Sequence, residues 1–451
     1  MRIAVALLFA LAVTACGDDA RRVNRDGGLA DAGLEPPADA RIDADNLDAR
    51  IDTCGNGTLE SGEQCDTGGV TQACGSDCRA RTFVLTTAPP MDFHSQPSSF
   101  DIAPTTRGWV AVFTMQSGYD VTARLFDRSG TPQRNGVNGT TDDFTINRLR
   151  QGGATPIVLG LGSEDGFVAG WSAGIGNKTP YHAYVRRFGP DGVPLSANDE
   201  VFVGGILSGL VRLSSGDLAV ASSDGRLQRF PASLTEAATA MSTMTVDSSS
   251  SVIVAPTHED GLFVITAPTR GAAQELSVRG GTLAPIAPSL VLPGGRTFSS
   301  ASSDPALSTV MAVGAGSSLA LQRFDERGQP GASGGVLSGM VWQAVVCAGP
   351  QGFVVFWIQF NPISFENELW AQWLDPMGAP TVPAFAAISA SVQLPGSSPP
   401  AGFGSQLSVP RCAIAPDGSV FLGWRDLWIG PPGQDPVSRT LGRIYPRSFT
   451  R

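Results

Sequence analysis

The chain from about residue 100 onward repeats short apolar runs, most of which follow a glycine. The runs cover residues 108–113, 166–171, 216–221, 261–266, 352–357 and 418–424, and a shorter one covers 310–313. They are rich in Val, Phe and Trp and are flanked by Gly and Asp, which is typical of β-strands. Because polar residues do not alternate cleanly with apolar ones, both faces of each strand are expected to be buried.

A second repeated phrase follows each run and ends in a large apolar anchor residue. In its complete form the anchor leads into an Asp-x-x-Gly-x-Pro turn, as in Phe126-Asp-Arg-Ser-Gly130-Thr-Pro132. The glycine permits a positive φ, and the proline is expected to end the strand ladder. The anchors are Phe126, Phe188, Phe230, Val278, Phe324, Leu374 and Tyr445.

The spacing of these anchors predicts the fold class. Successive anchors are 62, 42, 48, 46, 50 and 71 residues apart, which suits one four-stranded propeller blade each. The sequence therefore predicts an all-β domain over residues 83–451, a β-propeller of about seven blades. A pair of β-sandwiches or a β-helix is the alternative, but a sandwich would not repeat seven times. The Gly/Ser/Thr/Pro-rich residues 135–156 and 389–408 are predicted to be surface loops that account for the long steps.

The end of the chain predicts how the ring closes. Only six residues follow Tyr445, too few for another strand and turn. Residues 83–102 are therefore expected to supply the outer strand of the last blade, with 83–85 and 100–102 paired to the final sheet.

The first residues have the features of an export signal. Arg2 is followed by an apolar run over residues 3–13, which is too short to span a bilayer. The run ends in Val13-Thr-Ala-Cys16, which resembles the lipobox of bacterial lipoproteins. The resemblance implies a signal peptide over residues 1–15, diacylglycerol on Cys16 and attachment to the cell envelope. Gly17 after the cysteine favours the outer membrane by analogy with enteric sorting; a plain secretory signal is the alternative.

Residues 16–53 are predicted to be a disordered acidic tether. Residues 17–53 hold nine Asp and one Glu against five Arg, and few large apolar side chains. Such a segment cannot bury enough apolar surface to offset the entropy of ordering its backbone. It would hold the rest of the protein away from the membrane.

A small cysteine-rich module is predicted over residues 54–80. Its four cysteines, in an exported chain, are expected to form disulfides, and three pairings are open. The segment from Cys54 to Asp66 resembles the cysteine-rich repeat of myxobacterial surface proteins. Glu60, Glu63 and Asp66 are weak calcium candidates, and no other cofactor is predicted. The four cysteines are Cys54, Cys65, Cys74 and Cys78.

Cys347 and Cys412 remain once the lipid anchor and the module are assigned. They lie five residues before Gly352 and six before Gly418, at similar places in successive repeats. A bridge near the propeller axis is one interpretation, and two buried thiols is the other.

The sequence offers few candidates for catalytic, cofactor-binding or metal-binding residues. The formal charge of −10, with 16% charged residues, argues against a nucleic-acid partner. His94, His182 and His258 are scattered and are expected on the surface or in loops, and no phosphate-binding loop or nucleophile elbow is present. No catalytic, cofactor or metal residue is therefore nominated.

The tryptophans suggest packing more than binding, because most lie in the repeated strands. Trp428, beside a Gly/Pro-rich segment, is the best candidate for ligand contact. The eight are Trp109, Trp171, Trp342, Trp357, Trp370, Trp373, Trp424 and Trp428.

The sequence favours a noncatalytic, lipid-anchored surface protein whose propeller binds or scaffolds a protein or glycan partner. The alternative is an extracytoplasmic glycoside hydrolase or lyase with carboxylates at the axial mouth. Two Asp or Glu within about 10 Å of each other in the central channel would favour the enzyme. A neutral or plugged channel would favour binding.

Overall fold

Among the residues that it describes, a computed structural model places 29 β-strands in seven antiparallel sheets. The structure describes residues 78, 82–84 and 97–445, the last with gaps at 116–119, 149–152, 163–165, 175–180, 196–199, 203–204, 232, 235–241, 246–250, 268–272, 293–297, 305–306, 308, 315–317, 334–336, 339–340, 362–365, 382–383, 389–403 and 430–436.

Each sheet forms one blade of four strands, which follow one another in the chain from the innermost strand outward; the last blade differs in taking its outermost strand from before the first blade. The innermost strands are β2 (Pro97–Thr105), β6 (Gly153–Gly160), β10 (Leu207–Arg212), β14 (Ser251–Pro256), β18 (Phe298–Ser302), β23 (Val341–Gly349) and β27 (Gly404–Ile414). The second strands are β3 (Gly108–Met115), β7 (Phe167–Gly174), β11 (Leu218–Ser222), β15 (Leu262–Ala267), β19 (Thr309–Gly314), β24 (Gly352–Asn361) and β28 (Val420–Ile429).

The outer half of each blade holds the anchor and a short edge. The third strands are β4 (Val121–Asp127), β8 (Tyr181–Phe188), β12 (Arg226–Phe230), β16 (Glu275–Arg279), β20 (Ser318–Asp325), β25 (Glu366–Leu374) and β29 (Val437–Tyr445). The outermost strands are β5 (Phe144–Thr145), β9 (Glu200–Phe202), β13 (Ser242–Thr245), β17 (Leu290–Val291), β21 (Pro330–Ser333), β26 (Phe385–Ile388) and, for the last blade, β1 (Thr82–Val84). A further short strand, β22 (Leu337–Ser338), pairs with β20.

The seven blades form a ring. Each innermost strand contacts the innermost strand of the next blade, and β27 contacts β2. The fold is therefore a seven-bladed β-propeller, as the anchor spacing predicted. The sandwich and β-helix alternatives are wrong.

The hydrophobic core is divided into seven clusters, one between each pair of neighbouring blades. At the junction of the last and first blades, Trp109 packs edge-on against Phe421 with ring centroids 5.3 Å apart. Residues of the second strands are buried on both faces, as predicted. Trp109, Trp171, Trp357, Trp373 and Trp424 are all buried, so the packing interpretation is confirmed for them.

The repeated turn has one hydrogen-bond pattern in several blades. Asp325 Oδ1 accepts from the amides of Arg327 and Gln329, at 2.9 and 2.8 Å, and Gly328 has a φ of 77°. The expectation that the proline ends the ladder is wrong. Pro330 pairs with the anchor Phe324, so the proline begins the outer edge, where a missing N–H is tolerated.

Ring closure follows the prediction in part. Thr82, Phe83 and Val84 pair with Arg443, Gly442 and Leu441 in the last blade. Residues 100–102 do not join that sheet, because Phe100 and Ile102 belong to β2 and pair with β3. Their side chains are buried between the first and last blades, and this packing fixes the strand at the axis.

The two predicted loops are only partly loops. Residues 135–156 include β5 and the start of β6, and Asn135 is buried, its side chain accepting from the amides of Val137 and Asn138. Residues 404–408 belong to β27, while 389–403 lie outside the described residues.

The signal peptide, the tether and most of the cysteine module lie outside the described residues. Cys78 is described: it is buried and disulfide-bonded. In the part of the chain that the structure describes, no helix has the length and hydropathy needed to cross a bilayer.

Candidate functional site

Seven residues at equivalent register positions surround the propeller axis, one from each innermost strand. In each blade the anchor pairs with one residue of the second strand, and the axial residue pairs with the residue three positions further along that strand. In the first blade the anchor Phe126 pairs with Trp109, and Asp101 pairs with Val112. We call this set the axial ring: Asp101, Ile157, Gly209, Val252, Ser300, Val345 and Arg411.

The axial ring lines a cavity of about 420 Å³, here called the axial cavity. All seven ring residues contribute to its wall, together with hydroxyl residues that include Ser99, Thr155 and Ser208. The volume falls within the range of small-molecule sites, about 300 to 1,000 Å³. The cavity therefore has the size of a ligand site and a mixed wall of apolar and polar groups.

Six of the seven innermost strands have a register shift in their pairing with the second strand, and the shift lies before the ring position. The shift in β6 falls at Thr155 and Pro156, and the one in β27 falls at Val409 and Pro410. A bulge leaves residues unpaired and re-aims the side chains around it. The bulges therefore help to set the direction of the ring side chains, and the sequence analysis did not anticipate them.

Asp101 and Arg411 are the charged members of the axial ring and come from the first and last blades. Arg411 Nε lies 3.9 Å from Asp101 Oδ1, and Asp101 Oδ2 accepts from the amide of Val158 at 2.8 Å. Burial raises the pKa of Asp101 to about 6, against the lowering effect of Arg411 and of two backbone amides. Asp101 thus links three blades, and at neutral pH Arg411 balances its charge.

Two serines belong to the wall of the axial cavity. Ser300 Oγ accepts from the amide of Val346 in the next blade at 3.4 Å, which leaves its own proton free to donate. Ser208 Oγ is shielded from solvent and has no hydrogen-bond partner among the described residues. Leaving a buried hydroxyl unsatisfied costs about 1–3 kcal/mol.

A second cavity of about 770 Å³ lies at the ends of the innermost strands, at the loops that lead into the second strands. We call it the mouth cavity. Its wall includes Arg128, Arg212, Asp304, several hydroxyls and four prolines. The Arg128 guanidinium pairs with Asp417 of the last blade, and Arg212 donates to the carbonyl of Leu161.

The described wall of each cavity contains a single carboxylate. Within the described ranges, Asp101 is the acidic residue lining the axial cavity and Asp304 is the one lining the mouth cavity. A hydrolase that uses two carboxyl groups places both beside one scissile bond. The arrangement expected of such an enzyme is therefore missing from the described part of each cavity.

The bridge between Cys347 and Cys412 is confirmed. It joins the innermost strands of the sixth and seventh blades, with a Cα–Cα distance of 5.9 Å. The two residues are not at equivalent positions: Cys347 pairs opposite Val354, and Cys412 opposite Leu422, one register step apart. This offset turns the two side chains toward each other, because alternate residues of a strand face opposite neighbours.

Trp428 lies in β28 opposite Val437, one residue before the end of the strand. Its side chain is outside the described residues, so its contact with a ligand stays a prediction. Among the described side chains, Trp342 is the exposed tryptophan, with 61% of its surface accessible. The register shift between Val341 and Gln343 makes it the bulged residue of β23. Sequence alone could not identify it, because the bulge is set by pairing with β24.

The remaining nominated residues are placed as follows. The histidines were expected on the surface or in loops: His182 lies in strand β8 and is half-buried, whereas His258 is in an exposed turn. Cys16, Cys54, Cys65 and Cys74, the calcium candidates Glu60, Glu63 and Asp66, and His94 lie outside the described residues. Among the residues that are described, no three His, Cys, Asp or Glu side chains group as metal ligands would.

Comparisons with known proteins give limited similarity. No protein-family model and no curated protein matches the chain. Solved structures with a similar arrangement include the complex of KlAtg21 with the coiled coil of AgAtg16, at 6% identity and a TM-score of 0.45. That match covers 75% of this chain and 95% of the other. Another is KlHsv2 with its loop 6CD replaced by a Gly-Ser linker, at 6% identity and a TM-score of 0.43, covering 78% and 98%.

Proposed function

We propose that this chain is a lipid-anchored protein of the bacterial cell envelope whose propeller binds a protein or glycan partner without catalysis. The observation that carries the second half of the proposal is the axial cavity. Its acidic residue, Asp101, is balanced by Arg411, and hydroxyl and apolar groups make up the rest of the wall. The described part of this wall offers donors, acceptors and apolar surface for recognition, with Asp101 as its carboxylate.

The anchoring half of the proposal comes from the sequence. Cys16 follows an apolar run in a lipobox-like setting, and the acidic residues 17–53 separate it from the cysteine module and the propeller. Two or more acyl chains hold a protein on a bilayer far longer than one, because each buried methylene contributes about 0.8 kcal/mol. A lipidated Cys16 followed by Gly17 favours the outer membrane.

Labelled palmitate tests the anchor. The full chain should incorporate the label and sediment with the outer-membrane fraction, and Cys16→Ser should lose both properties. Thr14→Ser, which leaves the cysteine in place, serves as the matched control and should behave as the wild type. An unlabelled wild-type chain that keeps residues 1–15 would refute the anchor.

Retention on isolated envelopes tests the binding function. The purified chain should bind envelope fragments from cells that lack it, and prior protease treatment or periodate oxidation should tell a protein partner from a glycan. The proposal would be contradicted by a chain that binds neither protease-treated nor periodate-treated envelopes and instead cleaves envelope polysaccharide.

A carbohydrate-active enzyme is the second candidate function. The raised pKa of Asp101, about 6, is the observation in its favour, because a carboxyl group that protonates near neutral pH can serve as a general acid. Against it, the described wall of the axial cavity supplies no second carboxylate at which a nucleophile or base could act.

A further inference from the structure

The axial cavity combines three features that together indicate one class of ligand. They are a charge-balanced pair, the hydroxyl of Ser300 with a proton to donate, and apolar patches between them. Resting on the binding function proposed above, we propose that the axial cavity binds a neutral pyranose unit, the end of a glycan chain, with Trp342 as its aromatic platform.

The gap between Asp101 and Arg411 is suited to a ligand hydroxyl. The 3.9 Å between Asp101 Oδ1 and Arg411 Nε exceeds the 2.7–3.2 Å of a direct hydrogen bond. A sugar hydroxyl between them could donate to the carboxylate and accept from the guanidinium, because a hydroxyl has both capacities. The side chain of Arg411 is 41% exposed, so its guanidinium is accessible from the cavity that it lines.

Charge balance argues against an ionic ligand. At neutral pH the carboxylate and the guanidinium offset each other, so an anion or a cation would gain from one and be repelled by the other. A neutral polyol meets no such repulsion. Its hydroxyls can satisfy both charged groups without bringing a charge into the site.

A serine hydroxyl supplies a second, independent observation. Ser300 lines the axial cavity, and its oxygen accepts from the backbone amide of Val346. Its own proton can therefore be donated to a ligand hydroxyl. Ser208 Oγ is shielded from solvent, so a ligand in the cavity does not reach it.

Trp342 is not part of the described wall of the axial cavity, but it lies close to that wall in the chain. It precedes by two residues Ala344, which lines the cavity, and a strand rises about 3.3 Å per residue, so we place its ring within reach of a ligand in the cavity. A bulged tryptophan that is 61% exposed offers a flat apolar face, and the C–H face of a pyranose stacks on such a surface. The apolar ring residues Ile157, Val252 and Val345 offer further surface for C–H groups.

Titration with simple sugars tests this inference. The full chain would be titrated by tryptophan fluorescence with methyl glycopyranosides of glucose, galactose and mannose and with N-acetylglucosamine. At least one should bind, and Arg411→Met, Trp342→Ala and Ser300→Ala should each weaken that binding about tenfold. Ser208→Ala removes a neighbouring hydroxyl that the ligand does not reach, so it should leave the affinity within about twofold of the wild type.

The chain offers matched controls for two of these variants. Arg128→Met breaks another ion pair between the first and last blades, outside the axial cavity, and Met377→Ala removes an exposed side chain on a turn. Both should leave the affinity within about twofold of the wild type. If Arg128→Met weakens binding as much as Arg411→Met does, the axial site is refuted, because ring closure or the mouth cavity would then explain the loss.

Other outcomes separate this inference from the proposed function. Binding of a free α-amino acid and of no sugar would overturn the ligand class. Retention on periodate-treated envelopes without any sugar binding would overturn the axial site while leaving a protein-binding propeller intact. Cleavage of a glycoside would overturn the noncatalytic function itself.

Discussion

At the scale of single residues, Asp101 makes the stability of the propeller depend on pH. Its pKa in the folded protein, about 6, lies above the ordinary value of 3.8, so the fold favours the neutral carboxyl group. The stabilisation that this group contributes is therefore fully present below about pH 4 and is lost as the pH rises through 6.

Replacing Asp101 by Asn should remove this pH dependence. Relative to the wild type, the free energy of unfolding of Asp101→Asn should rise between pH 4 and 7.5, by up to about 3 kcal/mol. Urea denaturation at several pH values measures the difference. Asp417→Asn is the control. Burial raises the pKa of Asp417, but hydrogen bonds from Ser419 and the charge of Arg128 lower it further, so the pKa lies below its ordinary value. Relative to the wild type, the free energy of unfolding of Asp417→Asn should therefore fall as the pH rises. A flat difference for Asp101→Asn would contradict the pKa assigned to it.

Gly209 shows how closely the blades approach at the axis. A Cβ at this position would lie 2.3 Å from Val254 Cγ2 in the next blade. Gly209→Ala should therefore lower the free energy of unfolding by about 1–3 kcal/mol, as overpacked cores do. Ser208→Ala, one residue earlier, should leave stability unchanged or raise it by about 1 kcal/mol. Equal destabilisation by the two variants would argue against the close packing.

At the scale of elements, the turn that follows each anchor is stabilised by hydrogen bonds within the turn itself. Asp325 accepts two backbone amides in its turn, whereas the neighbouring Glu326 makes a 3.9 Å contact with His258. Asp325→Ala should lower the free energy of unfolding by about 1–2 kcal/mol, and Glu326→Ala by less than about 0.5 kcal/mol. Thermal unfolding of the two variants side by side checks this. Similar losses would mean that the carboxylate does not organise the turn.

The sequence predicted the second and third strands of the blades because their patterns are strong. Each second strand is a buried apolar run, and each third strand ends in an anchor such as Phe126 or Phe324 before a recognisable turn. The innermost strands were harder to predict, because their side chains share a crowded axis with six other blades. The pairing of Asp101 with Arg411 joins residues 310 positions apart, and local patterns carry no signal for it.

Bulges and register offsets also could not be predicted from the sequence. The sequence predicted packing for most of the tryptophans and did not single out Trp342, which the ladder shift in β23 leaves exposed. The one-step offset between Cys347 and Cys412 likewise depends on how two blades face each other. Both features arise from tertiary pairing, so only the structure could reveal them.

At the scale of the whole molecule, two devices hold the end of the ring. The strand Thr82–Val84 completes the last blade, and the disulfide between Cys347 and Cys412 fastens that blade to the sixth. The bridge closes a loop with a sequence separation of 65 residues, so it restricts the unfolded chain considerably.

Removing this disulfide should weaken the propeller without changing its fold. Replacing Cys347 and Cys412 together by Ala should lower the free energy of unfolding by about 2–4 kcal/mol. The circular dichroism of the folded state should not change. Reductant should destabilise the wild type but act less on the double variant, whose remaining cysteines lie elsewhere. A double variant as stable as the wild type would show that the bridge adds nothing to ring stability.

Product analysis with a bound oligosaccharide most directly tests the claim that this propeller binds without catalysis. The full chain is incubated with an oligosaccharide that it binds, and the sugar is then recovered and its chain length and reducing ends are measured. The predicted result is complete recovery of unchanged oligosaccharide, with the wild type and Asp101→Asn indistinguishable. Shortened or unsaturated products from the wild type, and none from Asp101→Asn, would contradict the claim and make Asp101 a catalytic residue.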